Sequence, residues 1–482
     1  MKFNYFLLGF LVAGLHITSY AQTYQLTVNN GYGSGNYHAG DTVQVWSAAL
    51  DSTKVFDRWT GNTASMQNPL EWHSTLVMPA SNITITAQLQ AVALPPIQYE
   101  KIMGVSFLKN VYSCFPPNMR GVIYLLHGTG GSASNWMQFT EYRNFVNAAL
   151  ADSFGVLITE AEEITRNTDL NGDGKLRWQP VPLDTLSNID YQNLKILTDT
   201  FIARQQMTTS TPKFSLGMSN GGAFSGALSY IYNYRAGISY CASAAKLIFG
   251  VRTNPFAFRM AKYDDNAEVG PQGNEDARQN DSVLAARGVC HDYLIHDRQP
   301  VYPERFARVP GVSVNVSQTI FNELVAAQLL DSNHYAKHSD TISNYVLGHL
   351  SQFPTVIGLS NTAKADVINQ IAASNAEHKF YSDYTKASLD FFKTLCTTTG
   401  IQENDRHWSF YPNPANAVLT VFGFEPGDIG RNVRVYNSLG QIIRLQKIDG
   451  PQLDLNTSLL PEGNYFLEVD GKGARMFCVA KY

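Results

Sequence analysis

Residues 214–222 read Phe-Ser-Leu-Gly-Met-Ser-Asn-Gly-Gly. The first three residues end an apolar strand, and residues 223–228 (Ala-Phe-Ser-Gly-Ala-Leu) begin a helix. Gly217 and Gly221 flank Ser219, and a turn this tight between strand and helix has no room for side chains at those two positions. Ser219 is therefore expected to project over the edge of a sheet, at a helix N-terminus whose amides favour negative charge.

The residues around this turn alternate between strands and helical stretches from about residue 101 onward. Two continuous apolar strands are predicted, at residues 121–126 (Gly-Val-Ile-Tyr-Leu-Leu) and 155–159 (Gly-Val-Leu-Ile-Thr). A strand that is apolar on both faces belongs in a sheet covered by helices on both sides. The sequence therefore predicts an α/β domain built on a doubly wound sheet.

A glycine-rich loop follows the first of these strands, at residues 127–131 (His-Gly-Thr-Gly-Gly). Its glycines allow backbone amides to come close to a ligand and point at it, which a site that binds an oxyanion requires. We expect the backbone amides of Asn220 and of Thr129 or Gly130 to form this site. The candidate substrate contacts are His127 and Trp136.

With these motifs in this order, residues 101–396 resemble the α/β-hydrolase family. The Gly-Met-Ser-Asn-Gly-Gly run at residues 217–222 is similar to the elbow of secreted polyester depolymerases and of feruloyl or acetylxylan esterases. The resemblance implies that Ser219 is a nucleophile, followed along the chain by an acid and then by a histidine. It also implies cleavage of carboxylic esters through an acyl-enzyme, with no cofactor needed for catalysis.

The acid of such a triad should follow a strand beyond the nucleophile helix. Residues 254–260 (Asn-Pro-Phe-Ala-Phe-Arg-Met) are predicted as that strand, and Asp264 and Asp265 come shortly after it. One of the two aspartates should hold the histidine ring in the correct tautomer. Asp265 is preferred slightly, and Asp264 remains open as the alternative.

The histidine should lie on a loop just before the last helix of the domain. Six histidines follow the aspartates ahead of the C-terminal linker: His291, His296, His334, His338, His349 and His378. His378 meets the requirement, because it precedes four apolar residues spaced for one face of a helix: Tyr384, Ala387, Phe391 and Leu395. His378 is therefore predicted as the base, whereas His334 and His338 lie in a polar loop and are predicted to be exposed.

More than 100 residues separate the aspartates from His378, far more than one helix and one strand need. The excess, at about residues 297–370, contains a helical stretch with these apolar residues: Ile320, Phe321, Leu324, Val325 and Leu329. Hydrolases of this family often carry a lid at this place. The resemblance thus implies that the segment shapes the acyl or alcohol pocket.

One further motif indicates a metal ion. Residues 169–175 (Asp-Leu-Asn-Gly-Asp-Gly-Lys) place the oxygens of Asp169, Asn171 and Asp173 at alternate positions around a glycine turn, as in a calcium loop. The twelfth position is Pro180 instead of the bidentate glutamate. A structural calcium site completed by another segment and a bare Asn/Asp/Gly turn both remain open.

The two ends of the chain differ from its middle. Residues 1–21 carry one lysine, an apolar run and small residues at a cleavage site, which predicts a secretory signal peptide. Residues 22–91 form short strands, and a proline-containing linker follows at residues 92–100. This segment resembles a divergent internalin B-type repeat through three blocks: Ala-Gly-Asp-Thr-Val, Phe-Asp-Arg-Trp-Thr-Gly and Met-Pro-Ala. Three tryptophans offer either a sugar-stacking platform or core residues: Trp46, Trp59 and Trp72.

The last segment, residues 409–482, follows a linker at residues 397–408 and has apolar residues in strict alternation, which predicts a small β-sandwich. It resembles the C-terminal sorting domain of type IX secretion substrates through Tyr-Pro-Asn-Pro, Val-Tyr-Asn-Ser-Leu-Gly and Gly-Asn-Tyr-Phe-Leu-Glu-Val. The resemblance implies contact with that secretion machinery, export across an outer membrane, and release or attachment at the outer surface.

Composition excludes several classes of protein. Hydrophobic residues make 44% of the chain and charged residues 16%, which excludes a disordered chain and a coiled coil. The formal charge of −4 offers no basic field for nucleic acid. No stretch after the signal has 18 unbroken apolar residues, so no transmembrane segment is predicted. The five cysteines form no Cys-x-x-Cys pair and leave at least one thiol without an intramolecular partner.

These observations predict a secreted serine esterase that acts on polymeric or cell-wall esters. Two alternatives stay open at this point: a serine peptidase of the same fold, and a surface adhesin whose hydrolase domain is inactive. The sequence does not choose among plant cell-wall, polyester and short-chain lipid substrates.

Overall fold

The computed structural model describes residues 22–48, 53–251, 254–337, 342–396, 408–424, 426–437, 441–470 and 474–481. The predicted signal peptide lies outside these residues, as do His338 and most of the linker before the last module.

The N-terminal module consists of two small sheets that share a core. Its strands are β1 (Thr23–Asn29), β2 (Gly31–Tyr32), β3 (Gly35–His38), β4 (Thr42–Ser47), β5 (Lys54–Gly61), β6 (His73–Val77) and β7 (Ile83–Ala91). They pair in the orders β3-β1-β7-β5 and β2-β4-β6. Alternate residues of β7, beginning with Ile83 and Ile85, point inward, as expected for strands with one buried face.

An eight-stranded sheet forms the centre of the molecule. Its strands are β8 (Gln98–Met103), β9 (Leu108–Cys114), β10 (Val122–Leu126), β11 (Gly155–Ile158), β12 (Lys213–Met218), β13 (Ala236–Tyr240), β14 (Phe256–Ala261) and β15 (His291–His296). Their order is β15-β14-β13-β12-β10-β11-β9-β8, and the six strands from β10 to β15 run parallel.

Strand β10 shows why the sheet is covered on both faces. All five of its residues are buried, and successive residues join different hydrophobic cores. Ile123 and Leu125 belong to the core on one face, whereas Val122, Tyr124 and Leu126 belong to the core on the other. This period of two across a fully apolar strand confirms the predicted α/β fold class, with a central sheet covered by helices on both faces.

Helices form the layers on the sheet and a separate helical segment. They are α1 (Asn135–Gln138), α2 (Thr140–Ala151), α3 (Glu162–Arg166), α4 (Ile189–Ala203), α5 (Asn220–Tyr232), α6 (Lys246–Val251), α7 (Gly270–Ala286), α8 (Val314–Ala326), α9 (Ile342–Gly348), α10 (Pro354–Ile357), α11 (Asn361–Ser374) and α12 (Thr385–Thr394). The four helices α8 to α11 begin within the predicted lid, and this segment buries a core of its own, which includes Phe306, Leu324 and Val367.

A disulfide bond joins Cys290, just before β15, to Cys396, just after α12. It closes the central domain over a sequence separation of 106 residues. The other three cysteines are free thiols: Cys114, Cys241 and Cys478. The expectation of at least one unpaired thiol is therefore met.

The C-terminal module is a sandwich of two antiparallel sheets. Its strands are β16 (Ser409–Tyr411), β17 (Val418–Phe422), β18 (Asn432–Tyr436), β19 (Ile442–Lys447), β20 (Gln452–Asn456), β21 (Gly463–Val469) and β22 (Ala474–Val479). They pair in the orders β16-β17-β20 and β19-β18-β21-β22. The inner faces of both sheets meet in one core that contains Leu419, Val433 and Leu467.

Candidate active site

Ser219 lies in the sharp turn between β12 and α5. Its backbone has φ 56° and ψ −125°, a region that residues with side chains rarely adopt. A Cβ at Gly217 would lie 2.1 Å from the Gly221 carbonyl oxygen, and one at Gly221 would lie 2.4 Å from the His127 carbonyl oxygen. Gly217 is thus required by the turn itself, and Gly221 by the close approach of the backbone at the end of β10. The serine is held at the start of α5 with only 9% of its surface exposed.

His378 lies against this serine. Its Nε2 is 2.8 Å from the Ser219 Oγ, although 159 residues separate the two in sequence. The histidine stands in the loop between α11 and α12, directly before the last helix of the domain. The spacing of the apolar residues that follow His378 predicted this position.

Asp264 holds the other ring nitrogen. The Nδ1 of His378 is 2.7 Å from the Asp264 Oδ2, and the carboxylate is fully buried. The remaining oxygen, Oδ1, accepts a hydrogen bond from the Asn266 backbone N–H at 3.0 Å. Because Nδ1 faces a carboxylate, the ring carries its proton there and leaves Nε2 free to accept one from Ser219.

The preference for Asp265 is therefore corrected: Asp264 makes the contact, and Asp265 is exposed. The two aspartates follow β14 in a turn in which the Asp264 N–H bonds the Ala261 carbonyl. Successive residues of such a turn point in different directions, so one side chain enters the site and its neighbour faces solvent.

The glycine-rich loop lies beside Ser219, but only part of it has amides to offer. The Gly130 N–H donates to the Leu176 carbonyl at 2.8 Å, so Gly130 is not a donor for an oxyanion in this structure. Thr129 and Asn220 remain as the predicted donors. The side chain of Asn220 is fixed by two hydrogen bonds with the backbone of Trp178, at 2.9 and 3.1 Å, which orient the first residue of α5.

A cavity of about 380 Å³ opens at Ser219 and His378. It is lined by the glycine-rich loop, the start of α2, one face of α11 and the loop of residues 375–384 that carries His378, called the histidine loop below. Lining residues that the sequence did not single out include Phe139, Glu141, Tyr142, Asn266, Asp366, Asn369 and Phe380. Asp366 and Asn369 stand three residues apart within the predicted lid, so lid helix α11 contributes directly to the wall.

Asp366 is a buried carboxylate in this wall. Its Oδ2 accepts hydrogen bonds from the Thr140 backbone N–H at 2.9 Å and from the Thr140 hydroxyl at 2.6 Å. Burial outweighs these bonds and raises the pKa of Asp366 to about 6. Helix α11, in the predicted lid segment, and the start of α2 are thus joined through the Asp366 carboxyl group.

The two predicted substrate contacts are structural residues instead. His127 is fully buried: its Nδ1 lies 2.7 Å from the Gly128 carbonyl, and its Nε2 accepts from the Ala161 N–H at 3.1 Å. Burial lowers the pKa of His127 to about 4, so the ring is neutral and shapes the glycine-rich loop. Trp136 is also fully buried, with its ring 5.2 Å from that of Phe380. Closeness in sequence to the glycine-rich loop did not predict contact with a substrate, because both rings pack into the protein interior.

Cys241 lies near the histidine and was not anticipated. Its sulfur and the ligand atoms of Asp264 and His378 all lie within 4.8 Å of one another. Burial raises the pKa of the Cys241 thiol well above its usual value, and the thiol donates to the Lys379 carbonyl. Cys241 is therefore a protonated, neutral neighbour of the histidine at neutral pH.

The predicted calcium loop has an internal hydrogen-bond network. Asp169 accepts from the backbone N–H groups of residues 171, 172 and 174 at 2.7 to 3.2 Å. Asp173 accepts from Arg177, whose guanidinium also pairs with Glu268 at 2.9 Å. The guanidinium of Arg177 is thus already paired with the Asp173 carboxylate, which a calcium ion would need as a ligand. The residues fit the bare-turn alternative better than a metal site.

Two parts of the chain match known protein families. Residues 409–477 match the secretion system C-terminal sorting domain. Residues 24–93 match the divergent InlB B-repeat domain. Both predicted resemblances of the flanking modules are confirmed. The sorting domain indicates type IX export to a secreted or cell-surface location, as predicted. No helix among the described residues is both long and apolar enough to cross a membrane.

No curated protein matches this chain. Among solved structures, a ferulic acid esterase is similar at 10% identity and a TM-score of 0.32, over 42% of this chain and 90% of that chain. A dienelactone hydrolase from Anabaena variabilis is similar at 14% identity and a TM-score of 0.34, over 51% of this chain and 100% of that chain. An acetyl xylan esterase from Aspergillus awamori is similar at 12% identity and a TM-score of 0.30, over 40% of this chain and 81% of that chain.

Proposed function

We propose that the protein is an exported serine hydrolase that cleaves carboxylic esters through Ser219, His378 and Asp264. The observation that carries the proposal is the continuous relay from Ser219 Oγ to His378 Nε2 at 2.8 Å and from His378 Nδ1 to Asp264 Oδ2 at 2.7 Å. The relay begins on a serine whose backbone is strained into the turn that exposes its hydroxyl to the cavity.

The reaction proceeds in two halves. Ser219 Oγ attacks the ester carbonyl while His378 Nε2 takes the hydroxyl proton, and the buried Asp264 carboxylate stabilises the resulting imidazolium. The tetrahedral intermediate collapses, the C–O bond to the alcohol breaks, and His378 returns the proton to the leaving oxygen. A water molecule then loses a proton to His378 and attacks the acyl carbonyl. The bond between the acyl carbon and Ser219 Oγ breaks, His378 returns the proton to Oγ, and the carboxylic acid is released.

The backbone amides of Thr129 and Asn220 are the proposed donors to the oxyanion. Asn220 supports this role because it is the first residue of α5, whose initial amides have no acceptor within the helix. Gly130 is left out because its amide is bonded to Leu176. Loss of one such donor costs roughly 3–4 kcal/mol of transition-state stabilisation.

The cavity supports a substrate presented one unit at a time. About 380 Å³ is near the lower end of the volume range for small-molecule sites, enough for one acyl or sugar unit. Its wall also carries polar groups, among them Asn266, Asp366 and Asn369. We propose a polymeric or cell-wall ester whose ester-bearing unit enters the cavity while the remainder stays outside.

The test compares two adjacent aspartates. Ser219→Ala should abolish hydrolysis of p-nitrophenyl acetate and labelling by a fluorophosphonate. Asp264→Asn should lower kcat by roughly 10³–10⁴-fold, since the histidine then adopts the wrong tautomer. The matched variant Asp265→Asn changes an exposed carboxylate one residue away and should leave kcat within about twofold of wild type.

Each contrary outcome has a clear meaning. An active, unlabelled Ser219→Ala protein would overturn the serine mechanism, and equal losses for the two aspartate variants would overturn the assignment of Asp264. A wild-type protein that neither labels nor hydrolyses any ester would favour the inactive adhesin. A panel of p-nitrophenyl acetate, a feruloyl ester, acetylated xylan and an aliphatic polyester then identifies the substrate, with a peptide amide as the arm for the peptidase alternative.

A further inference from the structure

The N-terminal module packs on the central domain through aromatic rings. Trp46 and Trp72 of the module are 4% and 9% exposed, and they form one hydrophobic cluster with Tyr302 of the central domain. The ring centroids of Trp46 and Tyr302 are 4.3 Å apart, and Tyr32 stacks on the same tyrosine at 5.4 Å. These buried tryptophans are therefore core and interface residues, and the sugar-platform alternative fails for them.

Trp72 reaches past this cluster to a buried arginine. The guanidinium carbon of Arg308 lies 4.1 Å from the centroid of the Trp72 ring, a cation–π contact. The Nη1 of Arg308 is in turn 2.8 Å from the Glu141 Oε1, and both side chains are almost fully buried. Because neither charge is solvated, the position of each depends on its partner.

Glu141 connects Arg308 to the histidine loop. Its second oxygen, Oε2, accepts hydrogen bonds from the backbone N–H of Ser382 at 2.8 Å and from the Ser382 hydroxyl. Ser382 stands four residues after His378 in the loop between α11 and α12. Glu141 is also part of the wall of the cavity at Ser219.

His73, the next residue of the module, makes a second contact with the same loop. Its Nδ1 is 3.2 Å from the Oδ1 of Asp383, the residue after Ser382. Gln299 donates to that same oxygen at 2.8 Å, and the His73 Nε2 is 2.7 Å from the Gln44 Oε1. Two consecutive residues of the module are thus linked to two consecutive residues of the histidine loop. His73 contacts Asp383 directly, whereas Trp72 reaches Ser382 through Arg308 and Glu141.

We propose that Trp72 and His73 are positioning residues, through which the N-terminal module holds the loop that carries His378. The inference rests on the proposed function of His378. Besides its own buried rings Phe380 and Tyr381, this loop depends on such side-chain contacts for its geometry. A displacement of about 1 Å at a catalytic group can cost roughly 100-fold in rate. The module is accordingly part of the hydrolase itself.

The first test varies Trp72 in the full-length protein. Trp72→Ala should lower kcat for p-nitrophenyl acetate, and the rate of fluorophosphonate labelling, by about 10- to 100-fold while KM changes little. Trp72→Phe keeps an aromatic face for Arg308 and should recover most of the loss. His73→Ala should act in the same direction, and His73→Gln, which keeps an N–H donor for Asp383, should partly restore the rate.

The control variant separates positioning from simple stability. Trp59 is buried in the core of the module, and its Nε1 donates to the Glu71 carbonyl at 3.0 Å. Trp59→Phe should lower the stability of the module and leave kcat per folded molecule unchanged, measured well below the unfolding midpoint. If Trp72→Ala behaves like Trp59→Phe, the inference is overturned.

A readout that needs no catalysis keeps the two proposals apart. Amide hydrogen exchange in residues 379–384 should speed up in Trp72→Ala and His73→Ala and stay at the wild-type rate in Trp59→Phe. Unchanged exchange in the first two variants would overturn the positioning role, whatever the reaction. Faster exchange together with an active Ser219→Ala protein would mean that the module holds this loop but that the proposed function is wrong.

Discussion

The two β modules are alike in size and strand content, yet they bury their aromatic residues differently. In the N-terminal module, Trp46 and Trp72 complete their packing on Tyr302 of the central domain. In the C-terminal module, Trp408 and Phe477 lie in a core whose members all fall within residues 408–479. A match to a repeat or sorting family therefore does not reveal whether a module is separable, and the partners of its aromatic residues do.

Their charged contacts differ in the same way. Arg308, beneath the ring of Trp72, pairs with Glu141 at 4% and 2% side-chain exposure. In the C-terminal module, Arg434 pairs with Glu468 and Asp470 of the same module, with side chains 27% to 32% exposed. Buried pairs are costly to break and exposed pairs contribute little. The comparison predicts that mutations have large effects at the first interface and small ones in the second module.

The largest expected effect is at Glu141. Glu141→Gln keeps an acceptor for Ser382 and removes the negative charge that faces Arg305 and Arg308, whose side chains are 1% and 4% exposed. Two buried guanidinium groups then lose the carboxylate that pairs with them, so we expect a loss of about 3–5 kcal/mol in the free energy of unfolding. Urea denaturation of the full-length protein, followed by tryptophan fluorescence, measures the loss.

Arg434→Gln is the matched variant in the C-terminal module. It neutralises a charge in a partly exposed cluster and should change the free energy of unfolding by no more than about 1 kcal/mol. Similar losses for the two variants would break the comparison between the buried interface and the self-contained module.

The turn around Ser219 and the location of His378 could be predicted, because both follow from local rules. Gly217 and Gly221 are needed wherever a strand turns this sharply into a helix, and a histidine directly before the last helix follows from the order of elements. The choice between Asp264 and Asp265 could not be made, since it depends on how one turn is closed by a bond to Ala261.

The contacts between the N-terminal module and the central domain could not be predicted from the sequence, for a different reason. Trp72 has the burial expected of an ordinary core tryptophan, and its partner Arg308 lies more than 200 residues away along the chain. Glu141, which joins them to the histidine loop, is one of 40 acidic residues in the chain. Nothing in local periodicity pairs such residues, because the pairing is set by how two domains pack.

A pH experiment examines the same interface at Glu71, which lies beside Trp72. Burial raises the pKa of Glu71 from 4.5 to about 8, and the nearby carboxylate of Asp383 adds to the shift. Between those two values the unfolded chain releases a proton that the folded protein retains, so folded stability falls as the pH rises from about 4.5 to 8. Glu71→Gln removes this dependence.

The variant should therefore equal wild type near pH 4.5 and be more stable than wild type above pH 8, by roughly 2–4 kcal/mol. Thermal unfolding of both proteins at pH 4.5, 6.5 and 8.5 tests the expectation. A difference that stays constant with pH would show that Glu71 does not titrate across this range, and that the interface tolerates its charge.

The smallest effect is expected when the chain is ended after Cys396. This truncation removes residues 397–482 but keeps the disulfide with Cys290, so the closure of the central domain is intact. The hydrophobic core of the C-terminal module is made of its own residues. Without this module, kcat should therefore stay within about twofold of the full-length value, and the unfolding midpoint of the remaining protein should stay within a few degrees. The truncated protein keeps its predicted signal peptide and is collected from the periplasm, because the sorting domain that directs its further export is gone. A fall in kcat comparable to that of Trp72→Ala would show that the C-terminal module also acts on the site, and the contrast between the two modules would then be one of family and not of function.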